Sequence, residues 1–400
     1  MKYDFSSIMD RHGKDSIAVD LGGFQSLPPS GERPGVERIP MAVADMNFPL
    51  PPCITDAIID RVKHPAFGYF APRDEYYKKI IDWHKTQNNV HGLKTEHIGY
   101  QNGVLGGVIS ALNIFCSRGD NVLIHSPTYV GFTHSLVPNG YHIIHSPLKV
   151  DAHNIWRMDF ADMEKKIIDN KIHAAIFCSP HNPCGRVWER GEIEEAMALY
   201  KKHDVFVISD EIWSDLLLDN NRHIPTQSIN DDARNRSVAL YAPSKTFNLA
   251  GLIGSYHIVY NQYIKDRLVK ESSLSHYNSM NMLSMYALLG AYTDQGREWL
   301  SELREVLSAN VNYACDYITK NFPAVQLAKP QGTYMIFPDF TEWCKTHNKT
   351  IDELYNAGVY EGVFWQKGTD FQAPNHLRLN LALPLSRIQE AFRRLEMVLK

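Results

Sequence analysis

The chain of 400 residues has a formal net charge of −4, and its 44% hydrophobic and 22% charged residues are typical of a globular protein with room for two domains. No Lys/Arg-rich block points to a nucleic-acid partner, and no apolar run approaches the ~18 residues that a membrane helix needs. Six cysteines without a CxxC pair, and an N-terminus without an apolar signal segment, predict reduced thiols and a cytoplasmic protein.

The first two thirds of the chain predict an extended arm followed by alternating helices and strands. Residues 1–50 are rich in Gly and Pro and predict the arm, and residues 52–62 and 74–86 have helical periodicity. A glycine-punctuated segment at 103–107 precedes a helical run at 108–115. Strands are predicted at 121–126, 141–146, 174–179, 205–210, 237–241 and 255–259, with helices at 159–168 and 192–203 between them. This alternation is the pattern of βαβ crossovers and indicates an α/β fold with a mainly parallel sheet.

The last third has a different pattern and predicts a smaller α+β domain that packs with the arm. Its predicted elements are helices at 281–292, 297–319 and 386–399 and strands at 332–337 and 377–381. The sequence therefore predicts three parts: the N-terminal arm 1–50, a large domain 51–295 and a small C-terminal domain 296–400.

Three predicted strands each end close to a polar side chain that can take part in chemistry. Asn182 follows the strand at 174–179, Asp210 ends the strand at 205–210, and Lys245 lies in a turn after the strand at 237–241. Open α/β sheets place their ligand sites at the carboxyl ends of parallel strands. An amine that can form a Schiff base, an acid for a pyridinium nitrogen and an amide for a phenolic oxygen together predict a pyridoxal phosphate site.

The residues around these three positions also have simpler interpretations. A lysine is usually solvated, an Asp after a strand is often a helix N-cap, and an Asn before a proline is often a turn residue. The segment Gly103-Val104-Leu105-Gly106-Gly107 could be a tight turn, or the backbone of Val104 and Leu105 could bind a phosphate at a helix start.

The sequence predicts no metal site. It contains eighteen histidines but no HExxH motif. His142 and His145 are three residues apart on a predicted strand, so their side chains point to opposite faces of the sheet.

The motifs resemble those of the fold-type I, aspartate-aminotransferase-like pyridoxal phosphate enzymes. They are NPCG at 182–185, SDE at 209–211 and SKTFN at 244–248, and their full strings are closest to the cystathionine β-lyase and cystalysin branch. The VADMNF string at 43–48 also resembles that branch. The resemblance implies a large domain with a mainly parallel, seven-stranded-type sheet and a smaller α+β domain.

The resemblance also implies roles around the cofactor. Lys245 forms the Schiff base, Asp210 keeps the ring nitrogen protonated, and Asn182 bonds the phenolic oxygen and borders the substrate carboxylate. Tyr129 stacks on the pyridine ring. Ser244 contacts the phosphate, because this chain has Ala242 and Ile253 where many relatives have a serine and an arginine.

Further implied roles concern the substrate and a second subunit. Arg378 clamps the α-carboxylate of an amino-acid substrate, and the backbone of Ala44 contacts the same carboxylate. Tyr69 reaches the phosphate of the neighbouring subunit, which implies a homodimer with shared active sites. Trp213 departs from the family, which has Tyr or His three residues after the aspartate; an indole N–H can donate but cannot accept.

The implied activity is a carbon–sulfur β-lyase that converts cystathionine- or cysteine-like amino acids to pyruvate, ammonia and a thiol. An aminotransferase is the alternative, since it shares the fold and the residues that contact the cofactor. A catalytically idle binding protein on this fold is a third hypothesis, which the presence of Lys245, Asp210 and Arg378 disfavours.

Overall fold

The computed structural model of the protein describes residues 1–24, 27–28, 30–274 and 278–400. Its centre is a seven-stranded sheet, in which only Ser255–Ile258 runs antiparallel to its neighbours. In spatial order the strands are Ile98–Gln101, Ser255–Ile258, Ser237–Tyr241, Phe206–Asp210, Ala174–Cys178, Asn121–Ser126 and His142–Pro147. This confirms the α/β fold with a mainly parallel, seven-stranded sheet.

Helices cover both faces of this sheet because its central strands are apolar on both sides. Along Ala174–Cys178, Ala174 and Ile176 pack in the core that contains the helix Gly103–Phe115. Ala175 and Phe177 pack in the opposite core, with Met163 and other residues of the helices behind it. Near-continuous apolar runs are typical of parallel strands that are buried on both faces.

The α-helices of the described residues agree with the predicted ones within a few residues where a helix was predicted. They are Pro52–Val62, Asp74–Asn88, Gly103–Phe115, Val130–Leu136, Phe160–Asp169, Arg190–Lys202, Asp231–Arg236, Pro243–Thr246, Gln262–Ser273, Met282–Ala291, Asp294–Asn321, Thr341–His347, Ile351–Tyr360 and Leu385–Leu399. None of the helices in these ranges combines the length and the apolar character that a membrane span requires.

A smaller sheet is formed by the C-terminal part of the chain. Its three strands are Met335–Ile336, Leu377–Asn380 and Gln366–Lys367, with Leu377–Asn380 in the middle. The N-terminal arm adds Ile39–Pro40, which pairs in parallel with Val363–Phe364. A separate hairpin joins Lys149–Val150 to Trp156–Arg157. The division at residues 50 and 295 stays a prediction.

The edge strand Ile98–Gln101 was not predicted from the sequence. It has only four residues, and one of them is Gly99, which a strand interior disfavours. The ring of His257 on the neighbouring strand lies 2.3 Å from where a Cβ on Gly99 would be. The His257 ring therefore requires a glycine at position 99, and the same glycine lowers the β-strand propensity of Ile98–Gln101.

The register of the three central strands sets the position of the polar side chains. Cys178 pairs with Asp210, and Asp210 pairs with Leu240. The carboxyl ends of these strands are therefore level, and the turns that follow them carry Asn182 and Lys245 to the same edge of the sheet as Asp210.

Candidate active site

Two connected chambers lie at this edge. The inner chamber has a volume of about 200 Å³, and it is lined by the start of the helix Gly103–Phe115 and by the ends of the central strands. The outer chamber has a volume of about 520 Å³ and lies between the N-terminal arm and the small sheet. Tyr129 and Lys245 line both chambers and form their junction.

The structure brings ten of the eleven predicted site residues to these chambers. The inner chamber is lined by Val104, Leu105, Tyr129, Asn182, Asp210, Trp213, Ser244 and Lys245. The outer chamber adds Ala44 and Arg378. Tyr69 contacts neither chamber; it lies between two helices and is fully exposed to solvent.

One end of the inner chamber is suited to an anion. Gly103 has a φ of 74°, a left-handed conformation that glycine adopts without strain, and the chain then turns into a 13-residue helix. The first N–H groups of a helix have no partner within it, and the helix dipole favours negative charge there. Val104 and Leu105, in the first turn of this helix, line the chamber together with Ser244. A phosphate fits this donor set.

Asp210 lines the inner chamber. Its side chain is buried, and one carboxylate oxygen accepts a hydrogen bond from the Ile212 N–H at 3.2 Å. Burial, helped by the nearby Glu211, raises the pKa of Asp210 to about 7, although the hydrogen bond from Ile212 and the charge of Lys245 act in the opposite direction. A carboxyl group with this pKa needs a cationic partner to stay ionised, which the protonated nitrogen of a pyridine ring supplies.

Lys245 lies in the short helix Pro243–Thr246, and its amine points to the junction of the chambers. Its Nζ donates to the carbonyl oxygen of Ala44 at 2.9 Å. Burial and the positive charge of Arg378 lower the pKa of Lys245 to about 8, although Asp45 and Asp210 act in the opposite direction. With this pKa about a tenth of the amine is neutral at pH 7 and able to act as a nucleophile or base.

Arg378 is a buried cation that faces the outer chamber. Its guanidinium donates to Asn182 Oδ1 at 3.1 Å, to the Ala42 oxygen at 2.9 Å and to Gln366 Oε1 at 2.6 Å. In the described part of the chain no carboxylate lies within salt-bridge distance of Arg378, and its Nε has no hydrogen-bond partner. Burial lowers the pKa of Arg378 to about 10. An unpaired buried guanidinium is a receptor for a carboxylate.

Trp213 and Tyr129 are the aromatic side chains of the site. The Trp213 ring is buried, and the Lys245 Nζ lies 5.7 Å from its centroid. Tyr129 separates the two chambers, and burial raises the pKa of its hydroxyl. Trp213 thus contacts the amine of the site through the face of its indole, a cation–π arrangement when the amine is protonated.

Three residues of the site were not predicted from the sequence. Tyr334 donates from its hydroxyl to the Ala44 oxygen at 3.0 Å, and Gln366 accepts from Arg378. Arg11 forms an ion pair with Asp45 at 2.6 Å, which joins two segments of the arm at the edge of the outer chamber. Asp45 lies in the VADMNF string at 43–48 that carries the resemblance, whereas no sequence signal pointed to Tyr334 or Gln366.

Glu211, next to Asp210, faces away from both chambers. It is fully buried, and its carboxylate accepts from Tyr241 and contacts His223, each at 2.6 Å. Successive side chains of a strand point to opposite faces, which separates the two acids. Within the described ranges, no three His, Cys, Asp or Glu side chains come together in a way that could hold a metal ion.

Comparison with known proteins identifies a matching family. The family model for aminotransferase class I and II matches residues 36–395. Cystathionine beta-lyase PatB from Bacillus subtilis is 33% identical over 99% of this chain and 100% of its own length. The structure of the PLP-bound C-S lyase from Staphylococcus hominis superposes with a TM-score of 0.90, at 29% identity over 100% of this chain and 98% of that one. Cystalysin from Treponema denticola, with pyridoxal 5'-phosphate, gives a TM-score of 0.89 at 29% identity, over 100% and 99%.

Proposed function

The chain belongs to the aminotransferase class I and II family of pyridoxal phosphate-dependent enzymes, and within this family we propose that it is a carbon–sulfur β-lyase. Its substrates are cystathionine- or cysteine-like amino acids, and its products are pyruvate, ammonia and a thiol. The similarity to PatB along nearly the whole chain carries this choice.

The residues of the inner chamber fit pyridoxal phosphate. The start of the helix Gly103–Phe115 and Ser244 would hold the phosphate, and the buried Asp210 would pair with the ring nitrogen. Tyr129 would lie against the ring. When bound, the cofactor supplies an aldehyde for amines and a ring that withdraws electrons from the Cα–H bond of the substrate.

The side chains of the outer chamber account for substrate orientation and proton transfer. Arg378 binds the α-carboxylate, and its Nε, which has no hydrogen-bond partner within the described residues, is available to donate to that carboxylate. The neutral amine of Lys245 removes the Cα proton and becomes an ammonium group. That ammonium can deliver the proton to the sulfur atom as the Cβ–S bond breaks, because Lys245 lines both chambers.

An aminotransferase is the second candidate function. The description of the matching family favours it, and each residue named above has a role in both reactions. The two reactions differ in whether the proton goes to the leaving group or back to the cofactor. The side chains that line the two chambers are compatible with either reaction.

We also propose that the enzyme works as a homodimer in the cytoplasm and that Tyr69 completes the site of the other subunit. Tyr69 is fully exposed in the single chain and its neighbour Phe67 is 55% exposed. These exposed aromatic side chains support an interface that a second subunit covers. All six cysteines are free thiols, which supports a reducing compartment.

A direct assay separates the two candidate functions. The purified holoenzyme is incubated with L-cystathionine alone, and separately with an amino-acid donor and a 2-oxo acid, while pyruvate, thiol and new amino acid are measured. We expect pyruvate and thiol from L-cystathionine without any added 2-oxo acid. If turnover requires a 2-oxo acid and no thiol appears, the protein is an aminotransferase and the lyase proposal fails.

A further inference from the structure

The carbonyl oxygen of Ala44 is shared by two donors that come from different parts of the fold. The Lys245 amine reaches it at 2.9 Å from the edge of the large sheet, and the Tyr334 hydroxyl reaches it at 3.0 Å from the segment before the strand Met335–Ile336. Ala44 itself belongs to the N-terminal arm. Tyr334 therefore links three separate parts of the chain at the amine that performs the chemistry.

Tyr334 is also the main aromatic neighbour of Trp213. Their rings meet edge to face, with centroids 4.8 Å apart and planes at 73°. Tyr334 is 1% exposed, so its ring holds one side of the indole while Lys245 lies 5.7 Å from the indole centroid. Tyr334 thus contacts both the Ala44 oxygen and the Trp213 ring, the two protein groups that lie next to the Lys245 amine.

The hydroxyl of Tyr334 acts only as a donor here. Burial raises the pKa of Tyr334 well above its ordinary value, so the hydroxyl stays protonated near neutral pH. A carbonyl oxygen has two lone pairs and can accept both hydrogen bonds at once. Tyr334 consequently does not compete with Lys245; it fixes the oxygen to which the amine donates.

The direction of this hydrogen bond has a consequence for catalysis. A carbonyl can only accept, so the contact to Ala44 must use an N–H of Lys245. The lone pair of the neutral amine is then directed elsewhere and remains available for a proton. When the position of the Ala44 oxygen is fixed, the direction of the Lys245 lone pair is therefore fixed as well.

We propose that Tyr334 is a positioning residue, which fixes the Ala44 carbonyl and Trp213 so that the free amine of Lys245 is aimed at the Cα proton of the substrate. The proposal rests on the proposed function, since it requires that Lys245 removes this proton. It does not depend on the choice between lyase and aminotransferase, because both reactions begin with that step.

The test is the variant Tyr334→Phe, which removes the hydroxyl and keeps the ring against Trp213. We expect kcat for L-cystathionine to fall about 10-fold, the effect of one lost positioning hydrogen bond, with KM changed less than 2-fold. Deuterium at the substrate Cα should slow the variant by a larger factor than the wild type. A partial loss of folded enzyme would lower kcat without changing that isotope effect.

A second readout does not depend on turnover. In crystals of the cofactor-free variant, the distance from Lys245 Nζ to the Ala44 oxygen should lengthen from 2.9 Å to beyond hydrogen-bond range, ~3.5 Å. Tyr317→Phe is the matched control, since it removes a hydroxyl that donates to Glu396 at 2.8 Å and lines neither chamber. The control should leave kcat and the isotope effect unchanged.

Failure of the Tyr334 role and failure of the proposed function would give different results. If the wild type eliminates nothing and transaminates nothing, the proposed function fails. If the wild type is active and Tyr334→Phe has the wild-type kcat, isotope effect and Lys245 position, the positioning role fails while the proposed function stands. A variant that instead loses its cofactor, seen as loss of visible absorbance, also overturns the role, since Tyr334 would then act on cofactor retention.

Discussion

At the scale of single residues, burial gives the site its chemistry. Burial raises the pKa of Asp210 to about 7 and lowers that of Lys245 to about 8, so both groups exchange protons near neutral pH. Arg378 stays cationic because burial lowers its pKa only to about 10. Arg378 thus keeps its charge near neutral pH, whereas Asp210 and Lys245 can each gain or lose a proton there.

Replacing Arg378 should affect the substrate and leave the cofactor in place. We expect Arg378→Ala to lower kcat/KM for L-cystathionine about 100-fold, since a desolvated charge-assisted pair contributes roughly 3 kcal/mol. Steady-state kinetics measure the loss, and the visible absorbance of the cofactor should hardly change. Arg394→Ala is the control: this arginine is also buried, but it pairs with Glu390. An equal loss of kcat/KM in both variants would contradict a specific role for Arg378.

The cofactor-free protein should show the raised pKa of Asp210 in its stability. Between the unfolded value near 3.8 and the folded value of about 7, the folded protein holds a proton that the unfolded chain has released. The free energy of unfolding contributed by Asp210 therefore decreases as the pH rises through this window. In Asp210→Asn this decrease should be missing, so the variant gains stability relative to wild type from pH 5 to pH 7.

Urea denaturation of both cofactor-free proteins at several pH values measures this difference. Above pH 7 the difference should level off, because Asp210 is then ionised in the folded and unfolded states alike. A difference that is independent of pH between 5 and 7 would show that the folded Asp210 has an ordinary pKa.

At the scale of elements, the site depends on where strands end and one helix begins. The strands Ala174–Cys178, Phe206–Asp210 and Ser237–Tyr241 end level with one another. The helix Gly103–Phe115 begins beside them with free backbone donors. The helix contributes backbone groups, and the strand ends and the segments that follow them contribute side chains such as Asp210 and Lys245.

The phosphate contribution of this helix can be tested by removing one backbone N–H. Proline is tolerated in the first turn of a helix, where the N–H has no partner within the helix, so Val104→Pro at the second helical position should keep the helix and delete the Val104 donor. We expect the dissociation constant of pyridoxal phosphate to rise about 10-fold or more, since a hydrogen bond to a charged group contributes roughly 1.5–3 kcal/mol. Val104→Ala is the control, because it shortens the same buried side chain and keeps the N–H. Equal affinities for the two variants, measured by fluorescence titration, would rule out this donor.

At the scale of the whole molecule, one chain encloses ten of the expected site residues and leaves Tyr69 outside. Tyr69 is fully exposed, and Phe67 and Phe70 beside it are also exposed. The small sheet and the arm close the outer chamber, where Arg378, Ala44 and Gln366 meet Lys245. The proposed role of Tyr69 therefore requires a second copy of the chain, because Tyr69 contacts neither chamber of its own chain.

Mixed dimers test the shared site. Lys245→Ala and Tyr69→Phe are each expected to be poorly active alone, since each removes a group from every site of its homodimer. A heterodimer of the two has one site with both groups intact if Tyr69 acts on the other subunit. We expect activity to recover toward half the wild-type value per dimer, measured after the subunits are co-expressed with two different tags. Purified heterodimers with no activity above that of the parents would place Tyr69 in its own subunit's site or outside any site.

The sequence by itself determined the fold class and the polar side chains at the strand ends. Apolar runs with helical periods between them allow little other than a parallel sheet, and side chains directly after such strands must lie at its carboxyl edge. Alternation along a strand also separates Asp210 from Glu211. These features depend on local pattern, which a sequence displays directly.

Only the tertiary structure decided which distant residues meet at the amine of Lys245. Tyr334 and Gln366 come from segments with no motif, and Gly99 weakens the signal of the edge strand Ile98–Gln101. The pKa values of Asp210 and Lys245 likewise depend on how deeply the fold buries them. Burial and contacts between remote segments arise from packing of the whole chain, and no local pattern of residues encodes them.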